Sequence, residues 1–194
     1  MTTKSHYDFA LYLLRNCTYF DSDSANTSFL LGCVEPDMNI ATYLKGSLSC
    51  QPLRGHNYPN STPCVKTLLK KLQYGQKNDF LYYYRIGKLI HYLTDAFTYP
   101  HNSSFEGSIH EHRVYEQELE KHFNMAMHIR FAKHKIYDAN QLYSYFSAAH
   151  DEYIKKRPGT ETDTHFILSV IPSAFASLYP AVPVTYRKKG GRNI

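Results

Sequence analysis

The chain has 194 residues, of which 43% are hydrophobic and 20% charged, and its formal net charge is +5. This balance indicates one globular domain and excludes a disordered polyanion or a collagen-like repeat. No uninterrupted apolar run approaches the roughly 20 residues that span a bilayer. The 11 histidines are numerous, and imidazole is both a metal ligand and the side chain that titrates near neutral pH.

The first third of the chain predicts short helices separated by loops. Phe9 and Leu13 recur at helical spacing and predict an amphipathic helix over residues 6–16. A short apolar helix or turn over residues 28–32 is expected to end before Pro36. The proline, glycine and polar content of residues 46–63 predicts a long loop. Ser61-Thr62-Pro63 resembles a helix cap and predicts a helix that continues to Lys71.

The rest of the chain predicts longer helices. Their apolar spacing places them over residues 79–97, 108–132, 140–156 and 162–179. No segment shows sustained strand alternation or a hairpin turn. We therefore expect an all-α, single-domain multi-helix bundle.

A basic tail and the cysteines complete this outline. We expect the domain over residues 1–182 and a tail over residues 183–194, which is either a solvated end or a contact for phosphates or an anionic membrane surface. The four cysteines form no C-x-x-C pair and are expected to be reduced thiols. The first residues make a poor signal peptide, so a cytoplasmic location is the default expectation and secretion stays open.

The segment HYLTD places His91 and Asp95 four residues apart on a predicted helix. Side chains at this separation lie over each other, so an imidazole and a carboxylate can converge on one ion. Gly87 lies one turn earlier on the same stripe, where its missing side chain leaves room for a metal or for a neighbouring backbone. A single pair of this kind is more often a surface contact than a ligand pair.

A second pair and a loop histidine strengthen the metal interpretation. His112 and Glu116 repeat the same separation on the next helix, and His101 lies in the loop between the helices. Two helices that each offer an imidazole and a carboxylate predict a polynuclear metal site between helices.

These residues resemble the zinc-dependent phospholipase C family, whose fold is shared with S1/P1-type nucleases. The family pattern H-x3-D-x5-H followed by H-x3-E is matched by the five residues above, from His91 to Glu116. Upstream, GCVEPDMN is similar to a family segment and supplies Asp37, RGHNYPNS supplies His56, and SHYDFA supplies His6. The resemblance covers about residues 4–130.

The resemblance implies that the protein binds two or three Zn²⁺ ions and that each of these residues is a ligand. One zinc would take Asp37, His56, His91 and Asp95, and a second would take His101, His112 and Glu116. Asp95 would bridge to a third zinc that also binds His6. Secreted members of the family complete that third site with the amino group and carbonyl of the N-terminal residue. A site with two metal ions would already be sufficient for the chemistry.

The resemblance also implies a zinc-dependent phosphodiesterase, foremost a phospholipase C that releases diacylglycerol and a phosphorylated headgroup. Asp37 is the candidate catalytic residue, as a ligand that also orients or deprotonates the attacking water. An S1/P1-like nuclease or nucleotidase and a non-catalytic zinc-binding helical protein are the alternatives. The expected partner is a phospholipid or another phosphodiester, with peripheral membrane contact left open. No stable nucleic-acid partner and no obligate protein partner are expected.

The substrate itself is not selected by the sequence. Aromatic residues near the ligand segments, such as Tyr43 and Phe105, would suit a choline headgroup, a stacked nucleobase or simple core packing. Glu35 would either meet a quaternary ammonium or be a solvated loop carboxylate. Cys33 would be an extra soft ligand or, more commonly, a buried free thiol.

Overall fold

The computed structural model describes residues 1–17, 20, 22–44, 54–74, 79–128 and 135–178. These residues form seven α-helices and two short 3₁₀ helices and contain no strand, which confirms the all-α expectation. Residues 183–194, the predicted basic tail, lie outside the described residues, as does Cys50. The helices are α1 (Thr3–Asn16), α2 (Asp23–Met38), η1 (Ile40–Thr42), α3 (Tyr58–Tyr74), α4 (Phe80–Ala96), η2 (Tyr99–His101), α5 (Ile109–Ala126), α6 (Ala139–Tyr153) and α7 (Thr160–Leu178).

Helix α4 lies at the centre of the bundle and packs against α2, α3 and α7. Its apolar positions Ile86, Leu89 and Leu93 are completely buried, as the helical spacing of the sequence predicts. The observed bounds agree closely with the predicted helix over residues 79–97. No helix in the described part of the chain is both long enough and apolar enough to cross a membrane.

Two glycines let α2 and α4 cross at close range. A β-carbon at Gly87 would lie 2.1 Å from the carbonyl oxygen of Phe29, and one at Gly32 would lie 2.2 Å from the carbonyl oxygen of Tyr84. The space that the sequence left open at Gly87 is thus taken by a neighbouring backbone and not by a metal. The close crossing brings the C-terminal half of α2 beside the ligand face of α4.

The helix predictions in the first third were partly wrong. Helix α2 begins at Asp23, capped by Ser22, and continues through Pro36 to Met38. Pro36 removes one backbone donor but does not end the helix, because the packing of α2 on α4 outweighs this local loss. Helix α3 begins at Tyr58, so the loop predicted to reach residue 63 is shorter, and Ser61-Thr62-Pro63 is not its cap.

The later helices follow the sequence more closely. Ser108 caps α5 through a capping box with Glu111, in which the side chain of each residue accepts a hydrogen bond from the backbone N–H of the other. Helix α5 ends at Ala126, earlier than the predicted Ala132. Helices α6 and α7 lie within about three residues of their predicted ends.

Candidate metal centre

Six segments, namely α1, α2, the loop before α3, α4, η2 and α5, bring the eight predicted ligands together. Three groups form in which the ligand atoms all lie within 4.8 Å of one another. Residue His91 belongs to two of these groups. The first group is Asp37, His56 and His91, the second is His101, His112 and Glu116, and the third is His6, His91 and Asp95.

The first group surrounds a small space between α2, α4 and the loop before α3. Nδ1 of His56 lies 3.2 Å from Nε2 of His91, which lies 3.2 Å from Oδ2 of Asp95. Oδ1 of Asp37 lies 3.5 Å from His56 Nδ1 and 3.7 Å from His91 Nε2. Four donor atoms thus face one another, two from imidazoles and two from carboxylates.

The outer hydrogen bonds of the two imidazoles turn their lone pairs inward. Nδ1 of His91 lies 2.9 Å from the carbonyl oxygen of Cys33, an acceptor only, so in the neutral ring the proton is on Nδ1 and Nε2 has a lone pair. Nε2 of His56 lies 2.9 Å from the Thr42 hydroxyl, which itself donates to the Asn39 carbonyl at 2.7 Å. This leaves the lone pair of His56 on Nδ1, facing His91.

Two lone pairs at hydrogen-bond distance repel each other unless a proton or a cation lies between them. A tetrahedral set of imidazole and carboxylate donors, with both imidazoles oriented by outer hydrogen bonds, is typical of zinc sites. The donor set of the first group therefore fits a zinc ion. Cys33 contributes its backbone carbonyl and not its thiol, which is a buried free cysteine outside the three groups.

The second group joins η2 to α5. Oε1 of Glu116 lies 3.2 Å from Nε2 of His101 and 3.1 Å from Nε2 of His112. The four-residue separation of His112 and Glu116 on α5 produces this contact directly, as the sequence predicts. His101 also lies beside Glu116, because η2 follows closely after the end of α4.

Among the described residues, three buried polar atoms at the centre have no hydrogen-bond partner. They are Oδ2 of Asp37, Oδ2 of Asp95 and Nδ1 of His101. Burying a polar group without a partner costs free energy, and carboxylate oxygens are particularly costly to leave unpaired. Unpartnered carboxylate oxygens on two of the predicted ligands are the feature expected of residues arranged for a cation.

The third group contains His6, whose Nε2 lies 3.0 Å from Oδ1 of Asp95. The ring of His6 also stacks on His91, with ring centroids 3.9 Å apart. The amino group of Met1 lies beside them, 2.8 Å from Asp95 Oδ1 and 3.0 Å from Glu116 Oε1. Oδ1 of Asp95 also lies 3.8 Å from Nε2 of His101, so Asp95 is near all three groups. The resemblance implies that it bridges the first and third zinc ions, and that role stays a prediction.

The electrostatics of the centre couple its charges strongly. Burial alone would raise the pKa of Asp95, but His101, the Met1 amino group and His6 hold it well below its usual value. Burial would lower the pKa of the Met1 amino group, yet Asp95 and Glu116 raise it to about 11. Burial and the neighbouring His91 lower the pKa of His6 to about 4, so the ring of His6 is neutral and able to bind a metal.

A cavity of about 650 Å³ opens above the centre. Predicted ligands form its floor, so a substrate bound there would touch both the group of Asp37 and His56 and the group of His101, His112 and Glu116. Its walls carry aromatic, apolar and basic side chains. We call the predicted ligands that line the cavity its floor, namely Asp37, His56, His101, His112 and Glu116. We call the other lining residues its walls, and these include Tyr43, Arg54, Phe105, Ile109 and Arg113.

Two supporting residues were missed by the sequence reasoning. Asp163 on α7 accepts hydrogen bonds from the Tyr99 amide at 2.9 Å and the Tyr115 hydroxyl at 2.8 Å, and these residues lie next to the ligand segments of η2 and α5. His150 on α6 lies 2.9 Å from the side-chain oxygen of Asn102, which immediately follows His101. A carboxylate within the apolar face of α7 was the one local signal for Asp163; nothing local marked His150.

The structure places all eight predicted ligands around one centre. That they bind zinc, that two or three ions are held and that Asp37 takes part in catalysis stay predictions. Among the histidines without an assigned role, His110 is exposed on α5. His150, by contrast, is buried and supports the loop of His101.

Similarity to known proteins assigns the chain to a family. A family model described as zinc dependent phospholipase C matches residues 5–159, about four fifths of the chain. No curated protein and no solved structure matches the chain. The matched segment contains every predicted ligand of the three groups, which confirms the resemblance drawn from the sequence. The chain therefore belongs to the zinc-dependent phospholipase C family.

Proposed function

We propose that this protein is a zinc-dependent phospholipase C, which hydrolyses a phospholipid to diacylglycerol and a phosphorylated headgroup. Family membership supports a zinc-dependent hydrolase of the phosphodiesterase type. The observation that carries the finer proposal is a cavity whose floor contains ligands of both the first and the second group. A phosphodiester in this cavity would meet both groups at once.

Bound zinc would polarise the phosphoryl oxygens, activate a water and stabilise the leaving alkoxide. Asp37 lies at the floor of the cavity, and its Oδ2 has no hydrogen-bond partner in the part of the chain that the structure describes. This oxygen is free to accept a hydrogen bond from the attacking water and so to orient it and take its proton. Asp37 is therefore our candidate for the general base as well as a ligand.

The cavity walls favour a lipid over a soluble diester. Ile109 lines the cavity and is 75% exposed, and Phe105 and Tyr43 add apolar surface beside the ligands. Apolar side chains at the rim would receive the acyl chains near the glycerol, whereas the floor receives the phosphate. Contact with a membrane surface follows from this arrangement as part of the proposal.

A nuclease remains the second candidate because of the same aromatic rings. Tyr43 stacks on His56, with ring centroids 4.6 Å apart, and a nucleobase would need to displace or extend this stack. Base stacking on aromatic side chains is common in proteins that bind single strands. The two activities share the metal chemistry and differ only in what the walls recognise.

Metal analysis combined with two substrates tests the proposal. The purified, zinc-loaded protein should contain two or three zinc ions per chain and hydrolyse short-chain phospholipids faster than single-stranded DNA. Zinc without hydrolysis of either substrate would leave a non-catalytic zinc-binding protein. Less than one tightly bound zinc per chain would refute the metal centre itself.

Ligand variants test the assignment of the second group. Glu116→Ala should lose one zinc per chain, because Glu116 contacts both histidines of its group. His110→Ala on the same helix is the matched control, since His110 is exposed and outside the three groups. An unchanged zinc content in Glu116→Ala would contradict this assignment.

A further inference from the structure

Two arginines are the only Lys or Arg side chains among the described residues that line the cavity. Arg54 lies before α3 and Arg113 lies in the first turns of α5. In the described part of the chain neither guanidinium has a carboxylate partner within 4 Å, whereas Lys4 and Lys88 are both paired with carboxylates. The cavity therefore presents two exposed positive charges that no carboxylate of the described residues neutralises within 4 Å.

The carboxylates of the cavity are committed elsewhere. Asp37 and Glu116 belong to the ligand groups, and bound metal ions would neutralise them. Glu35, which the sequence offered as a partner for a quaternary ammonium, does not line the described cavity. It lies 2.5 Å from the amino group of Lys88, and burial opposed by this bond leaves its pKa at about 2. No free carboxylate on the described walls would meet a cationic headgroup.

The position of Arg113 also supports a role in binding an anion. Arg113 follows His112 in sequence, and its charge opposes the rise that burial causes in the pKa of Tyr43, which lines the same cavity. Because Arg113 lines this cavity together with His112 and Glu116, we expect a group held over the second ligand group to lie near Arg113. Guanidinium groups bind carboxylates and phosphates in paired hydrogen bonds, which makes arginine suited to anionic recognition.

We infer that Arg54 and Arg113 bind an anionic substituent of the substrate headgroup, such as a carboxylate or a second phosphate, in addition to the scissile phosphate. This inference rests on the proposed phospholipase C function and names its substrate class. The protein would prefer acidic phospholipids to those with a choline or ethanolamine headgroup. The cation–π attraction that aromatic walls offer to choline is opposed by two neighbouring cations.

Two lipids that differ by one carboxylate test the inference. Dihexanoyl-phosphatidylserine and dihexanoyl-phosphatidylethanolamine, supplied as monomers, remove the charge of a vesicle surface from the comparison. The zinc-loaded wild type should show a higher kcat/KM for the serine lipid. Arg54→Gln and Arg113→Gln should each reduce this preference, by about tenfold where a bidentate charge-assisted bond is lost. Arg157→Gln, at an exposed position outside the cavity, is the matched control.

The alternative roles of the arginines give different results. If they contact only the scissile phosphate, the variants will lower kcat/KM equally for both lipids, and the inference is overturned. An unchanged serine preference in the double variant overturns it as well. A preference for the dinucleotide pTpT over TpT that depends on the arginines, with none between the lipids, would assign the anionic group to a nucleotide and reject the lipid.

A binding measurement separates this inference from the proposed function. Calorimetry should show that zinc-loaded wild type binds O-phosphoserine more tightly than phosphoethanolamine, and that the double variant loses the difference. This result without lipid hydrolysis would refute the phospholipase activity and keep the arginine site. Hydrolysis of both lipids with equal binding of the two phosphorylated headgroups would do the reverse.

Discussion

Asp163 is a completely buried carboxylate that supports the candidate metal centre from outside it. It accepts hydrogen bonds from the Tyr99 amide and from the hydroxyls of Tyr115 and Tyr153, the last at 2.7 Å. It lies beyond residues 5–159, the segment that the family model matches. A residue of α7 thus holds two segments that carry predicted ligands.

The ionisation of Asp163 should make stability depend on pH. Burial raises its pKa from 3.8 to about 6, against the hydrogen bonds from the tyrosines. The folded state therefore holds the proton more tightly than the unfolded state. This contribution to stability is complete below pH 3.8 and is lost as the pH rises through about 6. We expect a loss of about 3 kcal/mol over this range.

Asp163→Asn should remove this part of the pH dependence. Urea unfolding of wild type and variant at several pH values between 4 and 7 measures the difference in the free energy of unfolding. That difference should shift in favour of the variant as the pH rises. Asp151→Asn, at an exposed position on α6, is the control. A difference that stays constant with pH would contradict the raised pKa of Asp163.

Asp37→Asn tests the catalytic role proposed for Asp37. The amide keeps an oxygen for the metal but cannot accept a proton, so turnover should fall by about a hundredfold or more. Zinc content measured on the same sample separates the two roles of the residue. A variant that keeps both its zinc and full turnover would exclude Asp37 as the general base, and one that loses zinc would show that ligation dominates.

The crossing of α2 and α4 is the element-scale feature on which the centre depends. Helix α2 supplies Asp37 and the carbonyl that orients His91, and α4 supplies His91 and Asp95. Their separation is set by the glycines at the crossing, because any side chain there would meet backbone atoms that cannot move independently.

Gly87→Ala should therefore force the two helices apart. Overpacking of a dense core costs about 1–3 kcal/mol and sometimes more, and the clash here is with backbone. We expect a lower melting temperature and weaker zinc binding in the same variant. Gly159→Ala is the control, because nothing lies within 4 Å of a β-carbon there. Unchanged stability in Gly87→Ala would contradict the close crossing.

At the scale of the whole molecule, zinc should stabilise the fold because its ligands come from separate helices. A metal that binds only the folded state adds stability in proportion to the logarithm of its concentration above the dissociation constant. Removal of zinc with a chelator should lower the melting temperature by several degrees, about what 1–2 kcal/mol produces in a chain of this size. Readdition of zinc should restore it.

Magnesium serves as the control for this measurement. Each ligand group contains imidazole nitrogens, which suit zinc and bind magnesium poorly. Magnesium at the same concentration should therefore leave the melting temperature unchanged. Equal recovery with both ions would show that the ligands do not act through their imidazoles.

Local patterns were enough to predict the helices with strong apolar spacing, α4 above all, and the two ligand pairs with four-residue separation. They failed at Pro36 and at the start of α3, where packing against α4 decides the outcome over local propensity. A proline or a cap is a local signal of limited free energy, whereas burial of a whole helix face is larger.

The sequence by itself determined the all-α class and the helical spacing of His91/Asp95 and of His112/Glu116, because these depend on periodicity along one helix. The resemblance to the family came from matching motifs such as GCVEPDMN and RGHNYPNS. Only the tertiary structure decided that Gly87 makes room for a helix, that Glu35 pairs with Lys88, and that Arg54 and Arg113 share one cavity. Contacts between distant segments depend on how the helices pack, and periodicity along one helix carries no record of its neighbours.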